Sequence, residues 1–261
     1  MMSLFVYPRI LIVNIKVVIP ARYGSSRLPG KPLLKINGVE VVNHVVQRCI
    51  EAGVTRSDIF VASDDRRILE VIDNTKSMAI MTDSKHQSGT DRLCEVAEQE
   101  EWSEDTLVIN VQGDEPMIPP DLISNLISFA GNNPQFHICT AVTSVTSLDE
   151  FNNPNVVKAI LGEDGRALYF TRSASPFNRD APSDIEMANR HIGIYSYRVS
   201  ALKRFCSYEE SQLEKYEKLE QLRALSRGMA IGAFVYEGNI PHGVDTMEDF
   251  EKVKELMELE N

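Results

Sequence analysis

Three cations in one short segment form the first candidate site. The segment "IPARYGSSRLPGKPL" spans residues 19–33 and contains Arg22, Arg27 and Lys31 together with two glycines. Guanidinium and ammonium groups donate charge-assisted hydrogen bonds to phosphate oxygens, and glycines allow the backbone to approach a ligand closely. This combination predicts an anion site that could hold a triphosphate. A basic surface loop with turn-forming glycine and proline is the alternative interpretation.

The segment does not match the common phosphate-binding loops. Gly24 and Gly30 have five residues between them, where a Walker A loop has four, and Pro32 stands where that loop has its magnesium-binding Ser or Thr. It also lacks a Gly-x-Gly-x-x-Gly pattern, so a dinucleotide-binding fold loses support. The residues therefore indicate an anion site without identifying the anion.

Two aspartates far apart in the chain are candidate metal ligands. Asp114 follows an apolar run in "LVINVQGDEP", and Asp245 precedes the last helical pattern in "PHGVDTMEDF". Mg²⁺ takes one or two protein carboxylates and completes its octahedron with water and substrate phosphates, so this pair would suffice. The alternatives are a polar strand exit at Asp114 and a helix N-cap at Asp245, with Glu248 as its reciprocal partner.

The elements that must position these residues alternate regularly in the first half of the chain. Short β-branched runs followed by helical patterns of about ten residues are typical of βαβ units, which form a mostly parallel sheet covered on both faces. The fold class is therefore α/β. Ligands of such sheets bind beyond the carboxyl ends of the strands, where the cationic segment and Asp114 are expected. The strand and helix pairs are "IKVVI" with "VEVVNHVVQRCIEAG", "IFVAS" with "DDRRILEVI", "MAIMT" with "TDRLCEVAEQEEW", and "TLVINV" with "PDLISNLISFA".

The alternation loosens after about residue 135. "HICTAVTSV", "VVKAILGEDGRALYF" and "HIGIYSYRV" are predicted as strands, the middle one as a hairpin. "LEKYEKLEQLRALSRG" is predicted as one long helix, followed by the strand "IGAFVYEG" and the helix "TMEDFEKVKELMELE". We interpret residues 1–14 as an N-terminal extension. Residues 15–261 are interpreted as a single domain with a β-rich insertion within about 135–210 that could carry an oligomer contact.

Composition restricts the possible partners. The chain has 261 residues, 43% of them apolar, which is enough for a substantial core. Its net charge of −11 argues against a general role on nucleic acid or membrane surfaces, which need a surplus of cations. The four cysteines lie tens of residues apart, without the spacing of a zinc site or a small disulfide scaffold, so a reducing, cytoplasmic setting is expected. Neither a membrane span nor a signal peptide is expected at the N-terminus.

Seven segments in order resemble the family of 3-deoxy-manno-octulosonate cytidylyltransferases. The resemblance covers roughly residues 15–257 and rests on "IPARYGSSRLPGKPL", "HQSGTDR", "NVQGDEP", "ALYFTRS", "RHIGIYSY", "LEQLR" and "HGVDT". It implies a Rossmann-like, GT-A-like nucleotidyltransferase fold with a β-rich dimerisation lobe, a homodimer and Mg²⁺ as cofactor. The implied reaction joins CTP and 3-deoxy-D-manno-octulosonate (Kdo) to give CMP-Kdo and pyrophosphate, which activates Kdo for lipopolysaccharide biosynthesis.

The resemblance also implies roles for individual residues. The catalytic residues would be Lys31, Arg22, Asp114 and Asp245, the two aspartates also serving as metal ligands. CTP would be bound by Ala21, Arg22, Gly24, Ser25, Arg27, Lys31, Gln87, Ser88, Gly89, Thr90 and Arg92. Kdo would be bound by Gln112, Arg172, Arg179, His191, Tyr195 and Glu220.

Several of these assignments have a plain structural alternative. Residues 87–90 are also consistent with a loop and N-cap before a helix. Arg179 is also consistent with a solvated loop cation. His191 and Tyr195 have even spacing along a strand, so they share a face and could be core residues. Glu220 lies in a stretch of alternating charge, where a solvated ion-pair face is usual.

The chain departs from the family pattern at three places. Its N-terminus is longer, Lys218 stands where an apolar residue is usual, and "PFNRD" lacks an aromatic Trp or Tyr. These departures leave 8-amino-Kdo or another 3-deoxy-ulosonic acid open as the substrate in place of Kdo. A cytidylyltransferase for sialic acid is the nearest alternative enzyme. A pyrophosphorylase acting on a sugar 1-phosphate and a CTP-binding regulator without catalysis are two further hypotheses for the function.

Overall fold

The structure, a computed structural model, describes residues 14–24, 27–72, 77–86 and 88–259, so nearly all of the predicted N-terminal extension lies outside it. In this part of the chain, no helix combines the length and apolar character needed to cross a bilayer. The strands are β1 (Ile15–Pro20), β2 (Lys35–Ile36), β3 (Val39–Glu40), β4 (Ile59–Ser63), β5 (Met78–Met81), β6 (Leu107–Asn110), β7 (Ile138–Ser144), β8 (Lys158–Leu161), β9 (Ala167–Thr171), β10 (Asn189–Arg198) and β11 (Ile231–Val235). The α-helices are α1 (Val41–Glu51), α2 (Arg66–Ile72), α3 (Gly89–Gln99), α4 (Pro120–Asn132), α5 (Leu148–Asn152), α6 (Val199–Cys206), α7 (Gln212–Glu217), α8 (Gln221–Ser226) and α9 (Met247–Leu259).

One mixed sheet organises the fold. Its main path runs in the order β11-β7-β10-β6-β1-β4-β5. The β1–β4, β1–β6, β4–β5 and β7–β11 pairs are parallel, whereas β10 is antiparallel to both β6 and β7. The prediction of an α/β fold with a mostly parallel sheet flanked by helices is confirmed. The carboxyl ends of β1, β4 and β6 consequently lie along one edge.

Both faces of the sheet are buried, which explains the continuous apolar runs in the sequence. Every residue of β4 and β6 is buried. One face packs against α1 and α4 through residues such as Val42 and Leu122. The other packs against α3, α6 and α8 through residues such as Leu93 and Leu222. Each such side chain contributes about 1.5–3 kcal/mol on burial, so the sheet is a stable base for the loops at its edge.

The predicted β-rich region is joined to the main sheet. The β8–β9 hairpin pairs with the first residues of β10, Asn189 and Arg190, while the last residues of β10 pair with β6. The register of β10 shifts between Ile192 and Tyr195, which lets the strand serve both regions. The four strands β7 to β10 therefore extend the sheet that carries the candidate site.

The prediction of one long helix from "LEKYEKLEQLRALSRG" was wrong. The structure has two short helices, α7 and α8, because Lys218 adopts the left-handed conformation with φ 55°. Its backbone N–H donates to the Glu214 carbonyl oxygen at 2.7 Å and ends α7. Glycine or asparagine normally marks such a helix end, so a lysine in this place gives no signal in the sequence.

Candidate active site

The cationic loop after β1 is held by an internal hydrogen bond and by a contact with α2. The Gly30 N–H donates to the Tyr23 carbonyl oxygen at 2.8 Å, and Gly30 has φ 72°, a conformation that favours glycine. The Arg67 guanidinium lies 3.6 Å from the centre of the Tyr23 ring. A short 3-10 helix starts at Lys31 directly after this closed turn. These contacts therefore hold the backbone that carries Lys31 in place.

Gly113 allows the loop after β6 to pack against the end of β1. A Cβ atom on Gly113 would lie 2.8 Å from the Pro20 carbonyl oxygen, closer than real Cβ contacts allow. This close approach places Asp114 beside Lys31. The Val244 N–H donates to the Asp114 carbonyl oxygen at 2.8 Å, which ties the segment before α9 to the same point.

Asp245 is not the cap of α9. The Asp249 N–H donates to Thr246 Oγ1 at 3.2 Å, and Asp249 Oδ2 accepts from the Thr246 N–H at 2.9 Å, so these two residues form the capping box. The alternative of a cap formed by Asp245 and Glu248 was wrong. The Asp245 carboxylate instead faces the cations of the first loop.

Lys31, Asp114 and Asp245 form one charged cluster. Lys31 Nζ contacts Asp114 Oδ2 and lies 3.3 Å from Asp245 Oδ1. Arg27 Nη2 lies 2.9 Å from the same Asp245 oxygen. The Lys31 side chain is only 12% exposed, so solvent screens its ion pairs incompletely. Burial, followed by the negative charges of Asp114 and Asp245, raises the pKa of Glu115 to about 8, and Lys31 opposes this shift.

The cluster lies at one side of a cavity of about 350 Å³ beyond the carboxyl ends of the strands. Many of the predicted CTP and catalytic residues line it. The lining residues are Pro20, Ala21, Arg22, Gly24, Arg27, Lys31, Pro32, Gly89, Gln112, Gly113, Asp114 and Asp245. A polar cavity of this kind, lined by both cations and carboxylates, suits a polyphosphate accompanied by a cation.

In the second segment predicted to bind CTP, residues 87–90, one residue caps a helix and another lines the cavity. Ser88 Oγ accepts from the Asp91 N–H at 3.2 Å and caps α3, as its structural alternative predicted. Gly89 follows it and lines the cavity. Two other predicted CTP residues, Ser25 and Gln87, lie outside the described residues.

Arg92 lies behind the cavity wall. Its side chain is fully buried, with Nη2 2.8 Å from Asp64 Oδ2 and Nη1 donating to Thr82 Oγ1 at 2.6 Å. Burial and then the positive charge of Arg92 lower the pKa of Arg22, whereas Asp64 opposes this shift. Two neighbouring guanidiniums, both of which stay charged, favour an anion at this wall. Direct CTP binding by Arg92 stays a prediction.

Three of the predicted Kdo residues group on the α8 side of the sheet. The rings of His191 and Tyr195 are 5.3 Å apart, so they share a face as their spacing predicted. The negative charge of Glu220 adds to burial in raising the pKa of Tyr195. Glu220 Oε2 accepts from Thr90 Oγ1 at 2.9 Å, which connects the predicted sugar residues to the second CTP segment.

His191 is held neutral by its surroundings. Burial lowers its pKa to about 3, with the Phe170 ring 5.0 Å away. Thr140 Oγ1 lies 2.7 Å from the Ile194 carbonyl oxygen, 3.1 Å from the Ile192 carbonyl oxygen and 3.0 Å from His191 Nε2. Because two carbonyl acceptors compete for the one hydroxyl hydrogen, the geometry favours His191 Nε2 as the donor of the third contact. The other ring nitrogen, Nδ1, is then an acceptor.

The remaining predicted Kdo residues are dispersed. Gln112 lines the cavity. Arg172 directs its guanidinium at main-chain carbonyl oxygens, and Arg179 is exposed in the loop after β9. The residues predicted to bind Kdo thus form one cluster and three separate positions.

Sequence reasoning missed residues that support the site. Asp64, the partner of Arg92, directly follows β4, so the strand-end signal that identified Asp114 could also have identified it. Gly113 could have been identified as a close-approach glycine between a strand and an acidic residue. No sequence signal indicates that Val244 bonds to Asp114.

The fold and the site together define a nucleotidyltransferase. A nucleotidyl transferase from Methanothermobacter thermautotroptrophicus shares the fold with a TM-score of 0.60 and 13% identity, covering 95% of this chain and 99% of that one. The family model described as Cytidylyltransferase matches residues 16–231. More specifically, the chain belongs to the family of 3-deoxy-manno-octulosonate cytidylyltransferases, as its resemblance indicated.

The relatives that show this family match along nearly the whole chain. A protein named 3-deoxy-manno-octulosonate cytidylyltransferase 2 from Paraburkholderia phytofirmans is 42% identical and covers 94% of each chain. A 3-deoxy-manno-octulosonate cytidylyltransferase from Alcanivorax borkumensis is 44% identical over 91% of this chain and 96% of its own. A solved CMP:2-keto-3-deoxy-manno-octonic acid synthetase complexed with CTP has a TM-score of 0.87 and 40% identity, covering 95% of this chain and all of that one.

Proposed function

We propose that this chain transfers a cytidylyl group from CTP to Kdo, giving CMP-Kdo and pyrophosphate for lipopolysaccharide biosynthesis. The observation that carries the proposal is the convergence of Lys31, Asp114 and Asp245 beside a cavity walled by the cationic loop. The names of the relatives support CTP and Kdo as the substrates.

The residues of the cavity do positioning and electrostatic work in the proposed reaction. Arg22, Arg27 and Lys31 bind the triphosphate, and the sugar hydroxyl at C2 attacks the α-phosphorus in line. The new oxygen–phosphorus bond forms as the bond to the β-phosphate bridging oxygen breaks, and pyrophosphate leaves. Such transfers depend mainly on orientation and charge neutralisation. Lys31 neutralises charge at the α-phosphate from a supported position.

We also propose that Asp114 and Asp245 hold Mg²⁺. Their carboxylates reach the same ammonium nitrogen, so both can face one cation. The described residues include no group of three or more metal-binding side chains, but Mg²⁺ needs only one or two protein carboxylates when water and phosphates complete its shell. Bound Mg²⁺ would neutralise phosphate charge and lower the cost of ionising the sugar hydroxyl.

The sugar would be recognised by the cluster on the α8 side of the sheet together with Gln112. Glu220, His191 and Tyr195 supply acceptors and a hydroxyl group for the hydroxyl-rich sugar, and Arg179 is available for its carboxylate. The relatives are named for the manno-octulosonate substrate, which does not favour 8-amino-Kdo, sialic acid or a role as a regulator.

Pyrophosphate release tests the proposal. Purified protein should release pyrophosphate only when CTP, Kdo and Mg²⁺ are all present, and CMP-Kdo should form in equal amount. Replacing CTP by UTP, or Kdo by sialic acid, should reduce the rate strongly. A folded protein that releases no pyrophosphate from the complete mixture would overturn the assignment.

We further propose a homodimer formed through the β-rich region, in the cytoplasm. Three apolar side chains in this region are exposed: Leu168 at 57%, Phe177 at 67% and Met187 at 75%. Exposed apolar side chains of this size are typical of an interaction site when they share one surface. Light scattering should give twice the chain mass, and Phe177→Ser should shift the equilibrium toward monomer. The use of CTP and four unpaired cysteines supports the cytoplasmic setting.

A further inference from the structure

Arg172 uses its guanidinium to bind main chain from two other segments. Nε donates to the Glu217 carbonyl oxygen at 2.7 Å, and Nη2 lies 3.4 Å from the Lys218 carbonyl oxygen. Nη1 donates to the Pro154 carbonyl oxygen at 2.9 Å. The donors of the planar guanidinium fork are therefore directed at protein carbonyls at the end of α7 and in the segment before β8.

The contact between β9 and α7 is reciprocal. The Glu217 carboxylate accepts from the Arg172 N–H at 3.0 Å and from Thr171 Oγ1 at 2.8 Å. The last carbonyl groups of a helix lack intrahelical partners, and a cation at this end is electrostatically favourable. Arg172 thus satisfies carbonyls that α7 leaves unpaired, while Glu217 holds the backbone of Arg172 in return.

The clamped segment leads directly to Glu220. Lys218 is left-handed with φ 55°, a conformation that a non-glycine residue keeps only when its surroundings impose it. Beyond this turn, Arg223 Nη2 pairs with Glu214 Oε1 at 2.6 Å and fixes α8 against α7. The position of the Glu220 side chain therefore depends on a turn whose two sides are both held by arginines.

Glu220 itself has unused hydrogen-bonding capacity. Its Oε2 accepts from Thr90, whereas Oε1 is buried, has no hydrogen bond among the described residues and lies 3.9 Å from Arg223 Nη2. A buried carboxylate oxygen without a hydrogen-bond donor is costly, so the Glu220 carboxylate keeps this position only while the turn that carries it is held in place.

We propose that Arg172 is a positioning residue that holds the α7–α8 turn and, through it, the Glu220 carboxylate at the sugar site. The family resemblance gave Arg172 a sugar contact of its own, and kinetics distinguish that role from the clamp. This inference rests on the proposed function, because it takes Glu220 as a residue of the sugar site.

Steady-state kinetics of Arg172→Lys test the inference. Lysine keeps the charge but cannot reproduce the planar fork, so the KM for Kdo should rise by about tenfold while the KM for CTP stays within about twofold. In a protein that already carries Glu220→Gln, Arg172→Lys should raise the KM for Kdo by less than about twofold more, because Arg172 acts through Glu220. Effects of Arg172→Lys and Glu220→Gln that multiply would overturn the proposal, since a direct sugar contact behaves in that way.

Arg179→Lys is the matched control. It is the same replacement seven residues further along, at an exposed arginine outside the clamp. Its effect on the KM for Kdo should multiply with that of Glu220→Gln. If Arg172→Lys does not fold, Glu217→Gln can be used instead, because it weakens the contact between Glu217 and the backbone of Arg172. Its effect on the KM for Kdo should also fail to multiply with that of Glu220→Gln.

Amide hydrogen exchange gives a test that does not depend on turnover. Arg172→Lys should speed exchange at residues 217–222 and leave β1 and β6 unchanged, whereas Arg179→Lys should change neither. Unchanged exchange at 217–222 would overturn the clamp. If the wild-type protein makes no CMP-Kdo, the proposed function fails, while the exchange result still decides whether Arg172 holds this turn.

Discussion

Lys31 and Asp245 form an ion pair across 214 residues of sequence, with Nζ 3.3 Å from Oδ1. Asp114 contacts the same ammonium group from a third part of the chain. The pairing requires a glycine at position 113 and a backbone hydrogen bond from Val244 to Asp114. The charges of the site are therefore set by three loops that the sheet brings to one edge.

Removing either carboxylate charge should abolish most activity. Asp114→Asn and Asp245→Asn keep the shape but remove a metal-binding charge, so kcat should fall by about 100-fold or more with far-ultraviolet circular dichroism unchanged. Pyrophosphate release at saturating CTP and Kdo measures this. A kcat within about twofold of wild type would contradict the proposed metal role.

Asp249→Asn is the matched control for Asp245→Asn. Asp249 belongs to the capping box of α9, and its Oδ2 also accepts from the Asp245 N–H at 3.3 Å, a bond that the asparagine side-chain oxygen can keep; its charge is not part of the cluster. Its replacement should lower the free energy of unfolding by about 1 kcal/mol while leaving kcat near wild type. Urea denaturation together with kinetics separates the two aspartates. A large loss of kcat in Asp249→Asn would show that the cap also controls catalysis.

Lys31→Ala should affect the chemical step more than sugar binding. The ammonium group neutralises charge that develops during transfer, so kcat should fall by about 100-fold while the KM for Kdo changes by less than about threefold. Single-turnover measurements with saturating CTP give the chemical step directly. An unchanged turnover number would contradict the role of Lys31.

Gly113→Ala should destabilise the protein and disturb the site. The added Cβ would meet the Pro20 carbonyl oxygen at 2.8 Å, so the loop or the end of β1 must shift at a cost of about 1–3 kcal/mol. Gly131→Ala is the control, because Gly131 lies in α4 with no atom within 4 Å of the new Cβ. It should stabilise by about 0.5–1 kcal/mol. Thermal unfolding of both variants measures the contrast.

Lys218→Gly should stabilise the protein although it removes a side chain. Glycine adopts φ 55° without the cost of about 1–2 kcal/mol that a left-handed L-residue bears, while its greater freedom in the unfolded chain offsets part of the gain. A net increase of up to about 1 kcal/mol is expected from urea denaturation. Lys215→Gly, inside α7, should destabilise by about 1 kcal/mol instead.

His191 should make the fold sensitive to mild acid. Its pKa is lowered to about 3 by burial, below the ordinary value of 6.5, so in the relevant range only the unfolded state takes up the proton. The stability linked to His191 is present above pH 6.5 and is lost as the pH falls toward 3. His191→Gln should therefore lose less stability than wild type between about pH 7.5 and pH 5, measured by urea denaturation. Equal losses would contradict a buried neutral histidine.

Much of the fold follows from local patterns in the sequence. The run "IFVAS" became β4 with the same bounds, and α1 buries Val42, Val45, Val46 and Cys49 along one helical face. Periodicity succeeds here because each element is buried against the sheet. It failed at Lys218, where a tertiary clamp imposes a left-handed residue in the middle of a continuous helical pattern.

The chemical groups of the site, and the edge at which two of them lie, follow from the amino-acid sequence alone. A cationic loop and an acidic residue that both follow apolar strands must meet at the carboxyl edge of a parallel sheet. Which partner each group has depends on the three-dimensional fold. Asp245 faces Lys31 because Thr246 and Asp249 cap α9, and Arg172 faces main-chain carbonyls because α7 ends beside β9. These contacts join residues that are distant in sequence, and spacing along the chain does not encode them.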